Sequence, residues 1–587
     1  MKSLVASLSW ATPLLCAASA FGLLLAPAPA QGQTPGGPTG PRYDWQYATY
    51  LGPSQTAQVG AGQVLLGGVA TDPAGNVVVG GSFQPTLSFD NDQRELQTPY
   101  PLSSIQTNGF VARYTSGGIL TWTLDVVGAG QVAAVGTDAT GNVYATGDYW
   151  STISFNNLLP LTGGTSFLVK ISPAGVPLWT RNVASSPRNY GSQDWQLATD
   201  AAGNCAVQGD FVGSAVLGSQ TFSSTSASAY NPFIARFSTS GTMLSAWAGQ
   251  QTGVNFVPRD RDSFGLALAP NGEVYYSAWI FRQGSLAIGN GLAAISAGPT
   301  ATARGFLLKI NPLGSAEWVL TANIDDVAIS AMQYSPASGY VYAVIGSRNN
   351  FTLANESFAY STANQGVYIA QIRPDGTLKK SIFGGVETMP SLSLGRNDDL
   401  YLGFLAGSPR WGAVQLTPPA TAADQTIGVI RLDSAGTALG GWQATGPAVV
   451  RTPKLAVDGQ GQAVYAGAVV AGRVAFQFGS RTVAAPNAFG IYVARTSARP
   501  LAARAAREVA GLALYPNPNS GEVFVRLAQP GAVALEVRDA LGRLVAQPTL
   551  SAGQSRFVLP AGLAAGTYLV RVAQGDAVSF RRLSVAP

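Results

Sequence analysis

One stretch, Val69–Trp122, is written out again with variations until the chain nears its end. It opens VATDPAGNVVVGGSF at Val69–Phe83 and closes FVARYTSGGILTW at Phe110–Trp122. The same grammar returns as VGTDATGNVYATGDY…FLVKISPAGVPLW and LATDAAGNCAVQGDF…FIARFSTSGTMLSAW, then more loosely from Leu266, Met332, Leu392 and Leu455. The turn position falls at Gly75, Gly141, Gly203, Gly272, Gly339, Asp398 and Gly461, a spacing of 59 to 69 residues. A repeat at such a period dictates the architecture before any single element does.

Each unit reads as four strands. Val, Tyr, Phe and Leu alternate with small or polar residues on either side of tight turns, the period-two pattern of strands. In TDPAGN (Thr71–Asn76) Pro supplies a φ near −65° and Gly a positive one. A second hairpin is built on Ser116–Gly118, Pro173–Gly175 and Ser240–Gly241. A four-stranded antiparallel unit cannot cover both of its faces alone, and repetition around an axis lets the units cover one another. A parallel β-helix needs a period nearer about 20 residues. The expectation is all-β, a seven-bladed β-propeller over residues 43–495. Tyr43–Gly52 (YDWQYATYLG) looks like a displaced outermost strand, with Trp45 and Gly52 paralleling Trp122 and Gly128, while the seventh unit lacks one after Arg495. Tyr43–Tyr50 is therefore expected to complete the last blade and remove an unpaired edge.

The unit D-x-x-G-N-V-Y-x-x-G-x-F…F-V-A-K-x-x-x-x-G-x-x-x-W resembles the bacterial SBBP β-propeller repeats. That resemblance implies a propeller and an extracellular location, and no reaction. After a linker at 496–510 the tail changes character. It carries YPNP-x-x-G (Tyr515, Pro516, Asn517, Pro518, Gly521), D-x-x-G-R (Asp539, Gly542, Arg543) and L-x-x-G-x-Y (Gly566, Tyr568). Residues 511–587 thus resemble the type A C-terminal sorting domain of the type IX secretion system. The resemblance implies a small Ig-like β-sandwich, read by the outer-membrane export machinery and removed by a sortase-like peptidase. It places the protein on the surface of, or outside, a Gram-negative bacterium.

The N-terminus agrees with that destination. Lys2, an apolar run through Ala11–Ala26 and Ala28-Pro29-Ala30 make a signal peptide over 1–30 for the general secretory machinery. A Pro/Gly/Thr tether follows at 31–42. The apolar core, interrupted by Pro13, is short for a span of about 20 residues, and no later stretch suits a transmembrane segment. After cleavage one thiol remains, Cys205, which reads as core filler. The charge is +5, but the basic residues are scattered rather than striped with aromatics, which argues against nucleic acid.

The chain contains no His, which removes the Ser-His-Asp triad and the common zinc and haem ligand sets. There is no G-x-S-x-G elbow and no P-loop, and no cofactor or metal site is expected. Carboxylate chemistry survives, using pairs drawn from Asp90, Asp92, Asp194, Asp260, Asp262, Asp325 and Asp326. Asp72, Asp138, Asp200 and Asp458 read as turn-capping residues. The repeated cation at Arg113, Lys170, Arg236, Lys309, Arg431 and Arg495, replaced by Gln371 in the fifth unit, reads as one structural job done repeatedly. Two functions remain: a binding or adhesion scaffold for a glycan or protein, and a secreted glycan-active enzyme using loop carboxylates. Because strands alternate in direction, both tight turns of every unit leave on one rim and the long connections on the other. Loop aromatics Trp150, Tyr190, Trp195, Phe256 and Trp411 suit sugar stacking, and a ligand is expected near Asp194, Trp195, Arg259, Asp260, Arg261 and Asp262.

Overall fold

The computed structural model describes residues 43–586 apart from 54–61, 90–93, 100–105, 186–194, 225–228, 253–264, 282–283, 299–302, 355, 361–365, 385–389, 407–409, 413, 417–423, 448–449, 470–473, 486–488, 501–508, 530, 540–542 and 575–576. The expected signal peptide and tether lie outside these residues. Among the described residues the fold is all-β, with one 3-10 turn at Arg396–Asp398. Among the described residues no helix is long and apolar enough to cross a membrane.

Strands from Gln63 to Pro500 group into seven antiparallel units of four, each paired in simple order from inner to outer strand. Unit 1 is Gln63–Thr71, Val77–Gln84, Asn108–Tyr114 and Leu120–Val126. In the seventh, Val450–Val457, Ala463–Val469 and Gly490–Pro500 are completed by Tyr43–Gly52. Tyr47 pairs with Arg495, Val493 with Thr49 and Ile491 with Leu51, so the first described strand closes the ring as expected. The register differs from the sequence reading by two residues. Tyr47, not Trp45, stands opposite the cation as Trp122 stands opposite Arg113. Trp45 pairs with Thr496 and is buried against Tyr465 and Phe478. The strand also runs on to Pro500, so the first part of the expected linker is structured.

Alternation along each strand sends successive side chains to opposite faces. The core is accordingly divided among the seams. Seven buried apolar clusters each straddle two consecutive units, from Val111 with Val143 between units 1 and 2 to Val77 with Ile491 between units 7 and 1. This is the burial that a lone four-stranded unit lacks. Packing is tight enough that a Cβ added at Gly67 on an inner strand would lie 2.1 Å from the Val132 carbonyl oxygen of the next unit.

The tail is a three-stranded sheet (Ala513–Tyr515, Glu522–Arg526, Arg556–Val558) and a five-stranded one built on Val533–Arg538, Gly566–Gln574 and Ala577–Val585. Leu535, Val570, Val572 and Leu583 share its core with Val509 and Leu512.

Candidate functional site

The two rims of the ring are built differently. On the rim of tight turns, Asp72 caps its own hairpin, accepting from the Asn76 backbone at 2.9 Å and the Asn76 amide at 2.8 Å. Asp138 and Asp200 do the same with Asn142 and Asn204. The repeated cation then reaches sideways. Arg113 donates to Asp72 at 2.5 Å and to the Pro173 carbonyl in the second turn of the next unit at 2.7 Å. Trp122 donates its indole N–H to that same carbonyl at 3.0 Å. Lys170 with Trp179 holds Thr239 of the following unit, and Lys309 with Trp318 holds Pro374. Arg236 bonds Pro312 and Gln371 bonds Ser434. Arg495 pairs with Asp458 and donates to Ser116, which clasps unit 7 onto unit 1.

The acid of this clasp moves where the sequence repeat weakens. Unit 4 has Ala269 at the capping position, and Lys309 pairs instead with Glu273 at 2.8 Å and Glu317 at 2.9 Å. Unit 6 uses Asp399 opposite Arg431. Burial raises the Asp72, Asp138 and Glu273 carboxyls, but their hydrogen bonds outweigh it and hold all three below the usual carboxylate range. At Arg113, Lys170, Arg236, Lys309, Gln371 and Arg495 the repeated position is therefore an inter-unit clasp, while Arg431 pairs within its own unit.

On the opposite rim the long connections are mostly short hairpins that lean on the preceding unit. Thr86–Phe89 pairs with the end of Tyr43–Gly52, Gln250–Thr252 with Ser285–Ala287, and Val474–Phe478 with Ala438–Pro447. Isolated bridges Val127↔Ser154, Ser185↔Val216 and Ala322↔Leu353 do the same elsewhere. Their aromatics point inward: Trp411 is buried and donates to the Gly436 carbonyl at 3.2 Å. Trp150 is 37% exposed. Burial pushes the Asp125 carboxyl up to about 6, against its bond from Asn108, and the Asp210 carboxyl up to about 7. Asp210 sits in the seam between units 3 and 4, beside Tyr230, Gln251 and Tyr276.

Along the ring axis lies a cavity of about 330 Å³, to which the inner edge of every unit contributes: Gly68, Ala134, Gln196, Gly265, Gln333, Ser391 and Lys454. Each inner strand is the terminal strand of its sheet, so one backbone edge faces the axis. Register breaks at Leu66/Gly68, Val132/Ala134 and Ser330/Met332 fall at the cavity wall, and Ala331 adopts a φ of +44° there. Bulges of this kind re-aim backbone and side chains at functional rims.

Of the expected binding residues, Asp194, Arg259, Asp260, Arg261 and Asp262 lie outside the described residues, as do Asp90, Asp92, Tyr190 and Phe256. Trp195 is 3% exposed, packs edge-on to Phe233 with ring centroids 5.5 Å apart, and lines the axial cavity rather than a loop surface. Asp325 is ion-paired with Arg304 at 2.6 Å. Cys205 is buried, its thiol pushed up to about 12. Among the described residues no group of three or more Cys, Asp or Glu is placed to hold a metal ion. Apart from Trp195, the axial wall was invisible to sequence reading, since its small and amide residues fit no motif.

In the tail, Asn517 donates to the Arg582 carbonyl at 2.9 Å and accepts from Ser584 N–H at 2.7 Å. Asn519, a variable position of the motif, is buried and bonds Ser584 and Gly521. Together they tie the YPNP loop to the last strand. Arg543 closes its turn on Asp539 at 2.7 Å, and Tyr568 donates to the Ala564 carbonyl at 2.7 Å. Gly566 opens its strand, and Gly542 lies outside the described residues.

Two solved structures are similar over 76% of this chain. One is titled the Dos1 propeller (9% identity, 95% of that chain covered, TM-score 0.33). The other is a protein of unknown function from Bacteroides thetaiotaomicron (10% identity, all of that chain covered, TM-score 0.21). A comparison with curated proteins gives no match. Residues 513–586 match the family described as Secretion system C-terminal sorting domain. This chain is a β-propeller that ends in a type IX sorting domain and is secreted to the cell surface or extracellular space of a Bacteroidetes-type Gram-negative bacterium.

Proposed function

We propose that the protein is a non-catalytic binding or adhesion scaffold, a seven-bladed propeller displayed or released after type IX export. The observation that carries the reading is the make-up of the axial wall. Among the described residues it offers amides, hydroxyls and strand edges, the groups of recognition, with Lys454 as the one ionisable side chain. A glycosidase requires two converging carboxyls; of the described acids on this rim, Asp125 takes a bond from Asn108, Asp325 is spent on Arg304, and Asp210 sits in the seam between units 3 and 4. The N-terminal 30 residues serve the general secretory machinery, and the sorting domain is then read by the outer-membrane machinery. A sortase-like peptidase cuts between Pro500 and Val509, the interval between the last propeller strand and the tail core.

Labelled full-length protein applied to bacterial cells and to immobilised extracellular polysaccharide tests the reading. Saturable binding without release of reducing sugar is expected. Turnover, or absence of saturable binding to either surface, overturns it. Deleting residues 509–587 should leave folded propeller in the periplasm. Efficient secretion of that variant would sink the export half.

A further inference from the structure

We propose that the outer face of the tail's five-stranded sheet is the surface by which the export machinery takes hold of the domain, docking it on an acidic protein surface with apolar contacts. The inference rests on the type IX reading above and names the face and the chemistry of its partner.

Alternation fails on this sheet. A sheet packed on one side reads apolar inward and polar outward. The inward side obeys, with Leu535, Val537, Val570, Val572 and Leu583 buried in the tail core. The outward side does not. Leu544, Leu569 and Phe580 stand there 48%, 43% and 54% exposed. They are not scattered, because the register sets them in two neighbouring rows. One row runs Leu544, Arg538, Leu569, Arg582 across four strands, each residue opposite the next. The second, two residues along, runs Glu536, Arg571, Phe580. Side chains directly opposite lie about 5 Å apart at Cβ, so apolar groups and guanidiniums alternate over one continuous patch.

Charge and residue type choose the partner. Glu536 is the one acid of the two rows and takes Arg538 at 2.9 Å and Arg571 at 3.1 Å, which leaves the patch net positive. Arg571 gives Glu536 one of its five N–H donors, and Arg582 is exposed. Every basic residue from 511 to 587 is Arg, and none is Lys. Arg beside large apolar side chains is the composition of a protein interface, from which Lys is depleted. A lipid surface fits less well, since anionic headgroups would meet Glu536 in the middle of the patch. The complement is a protein surface that offers carboxylates to Arg571 and Arg582 and apolar contact to Leu569 and Phe580. In the same reading the tail is cut away, so this exposed apolar patch leaves with it.

The test follows the full-length chain in cells that export it, as the fraction outside the outer membrane against the fraction in the periplasm. Leu569→Ser, Phe580→Ser and Arg582→Glu should each lower the secreted fraction about tenfold. Phe580→Leu should keep most of it, and Val558→Ser, at a 70% exposed position of the other sheet, should leave it unchanged. Thermal unfolding of each purified full-length variant separates lost recognition from lost fold; if the Ser variants melt early, Arg582→Glu decides. Unchanged secretion of the folded face variants overturns the inference, while the export reading stands as long as deleting residues 509–587 still blocks secretion. An equal loss in Val558→Ser overturns it too, since the face would then have no special part. Binding of the full-length protein to vesicles of anionic phospholipid, abolished by Arg582→Glu, would give the face to a membrane and overturn the protein partner. Efficient secretion of the deleted chain removes both readings.

Discussion

The rim of tight turns and the rim of long connections use the same residue types to opposite ends. Asp72 at the turns is held ionised by Asn76 and Arg113; Asp210 at the far end of unit 3 is pushed up by burial with no such set of donors. Tryptophans divide the same way. Trp122 spends its indole N–H on the next unit's turn, whereas Trp195 packs its ring on Phe233 inside its own unit. A repeat can impose one job on equivalent positions only where the surroundings repeat as well. At the turns they do, and the sequence is nearly periodic; at the other rim the hairpins differ in length and pairing, and each unit is free to diverge.

The largest effect that would sharpen this contrast is loss of the clasp that closes the ring. Arg495 and Asp458 are 2% and 0% exposed, so Arg495→Ala leaves a buried carboxylate without its partner. Chemical denaturation should register a loss of about 3–5 kcal/mol. A loss below about 1 kcal/mol would mean that the clasps follow from packing rather than support it.

Asp72→Asn should cost about 2 kcal/mol at pH 7. The Asp72 carboxyl has a folded value below its unfolded one of about 4, so its contribution is present above pH 4 and disappears as pH falls through the folded value. The difference between variant and parent should therefore close as pH falls through that folded value.

Asp210→Asn carries the opposite sign. With a folded value of about 7, the parent holds a proton that the unfolded chain has released, so stability falls as pH rises from about 4 to about 7. The side chain keeps some solvent contact, which limits the penalty to about 1–2 kcal/mol. The variant should be more stable by that amount at pH 8 and equal at pH 4. If it is destabilised at pH 8, the two rims are not electrostatically distinct. Least of all, Trp150→Ala should change stability by no more than about 0.5 kcal/mol, since the ring is 37% exposed.

What was legible in the sequence is what the turn rim repeats. The D-x-x-G-N turns, the cation and the Trp after the second Gly announced strand order, and the surplus at Tyr43 announced how the ring closes. Legibility failed where an interaction moved along the chain. Glu273 keeps the clasp from another position, Asp399 takes up Arg431 within unit 6, and Tyr47 takes the place that Trp45 was expected to fill. The axial wall was hidden for a different reason. Its character comes from seven inner edges meeting on one axis, and no single strand carries enough of it to stand out. The long connections misled because aromatic loops read as binding surface, and Trp411 spends its ring and N–H inside the fold.

Order along the chain also becomes order in time. The strand made first, Tyr43–Gly52, finds its partner last, with the Arg481–Trp45 contact spanning 436 residues. Until Gly490–Pro500 emerges, Tyr43–Gly52 has no strand to pair with and the ring stays open, a slow long-range closure in kinetic terms. The sorting domain is made later still. A chain that can present its address has therefore already produced every strand of its ring, so synthesis itself keeps an unfinishable propeller from being addressed for export.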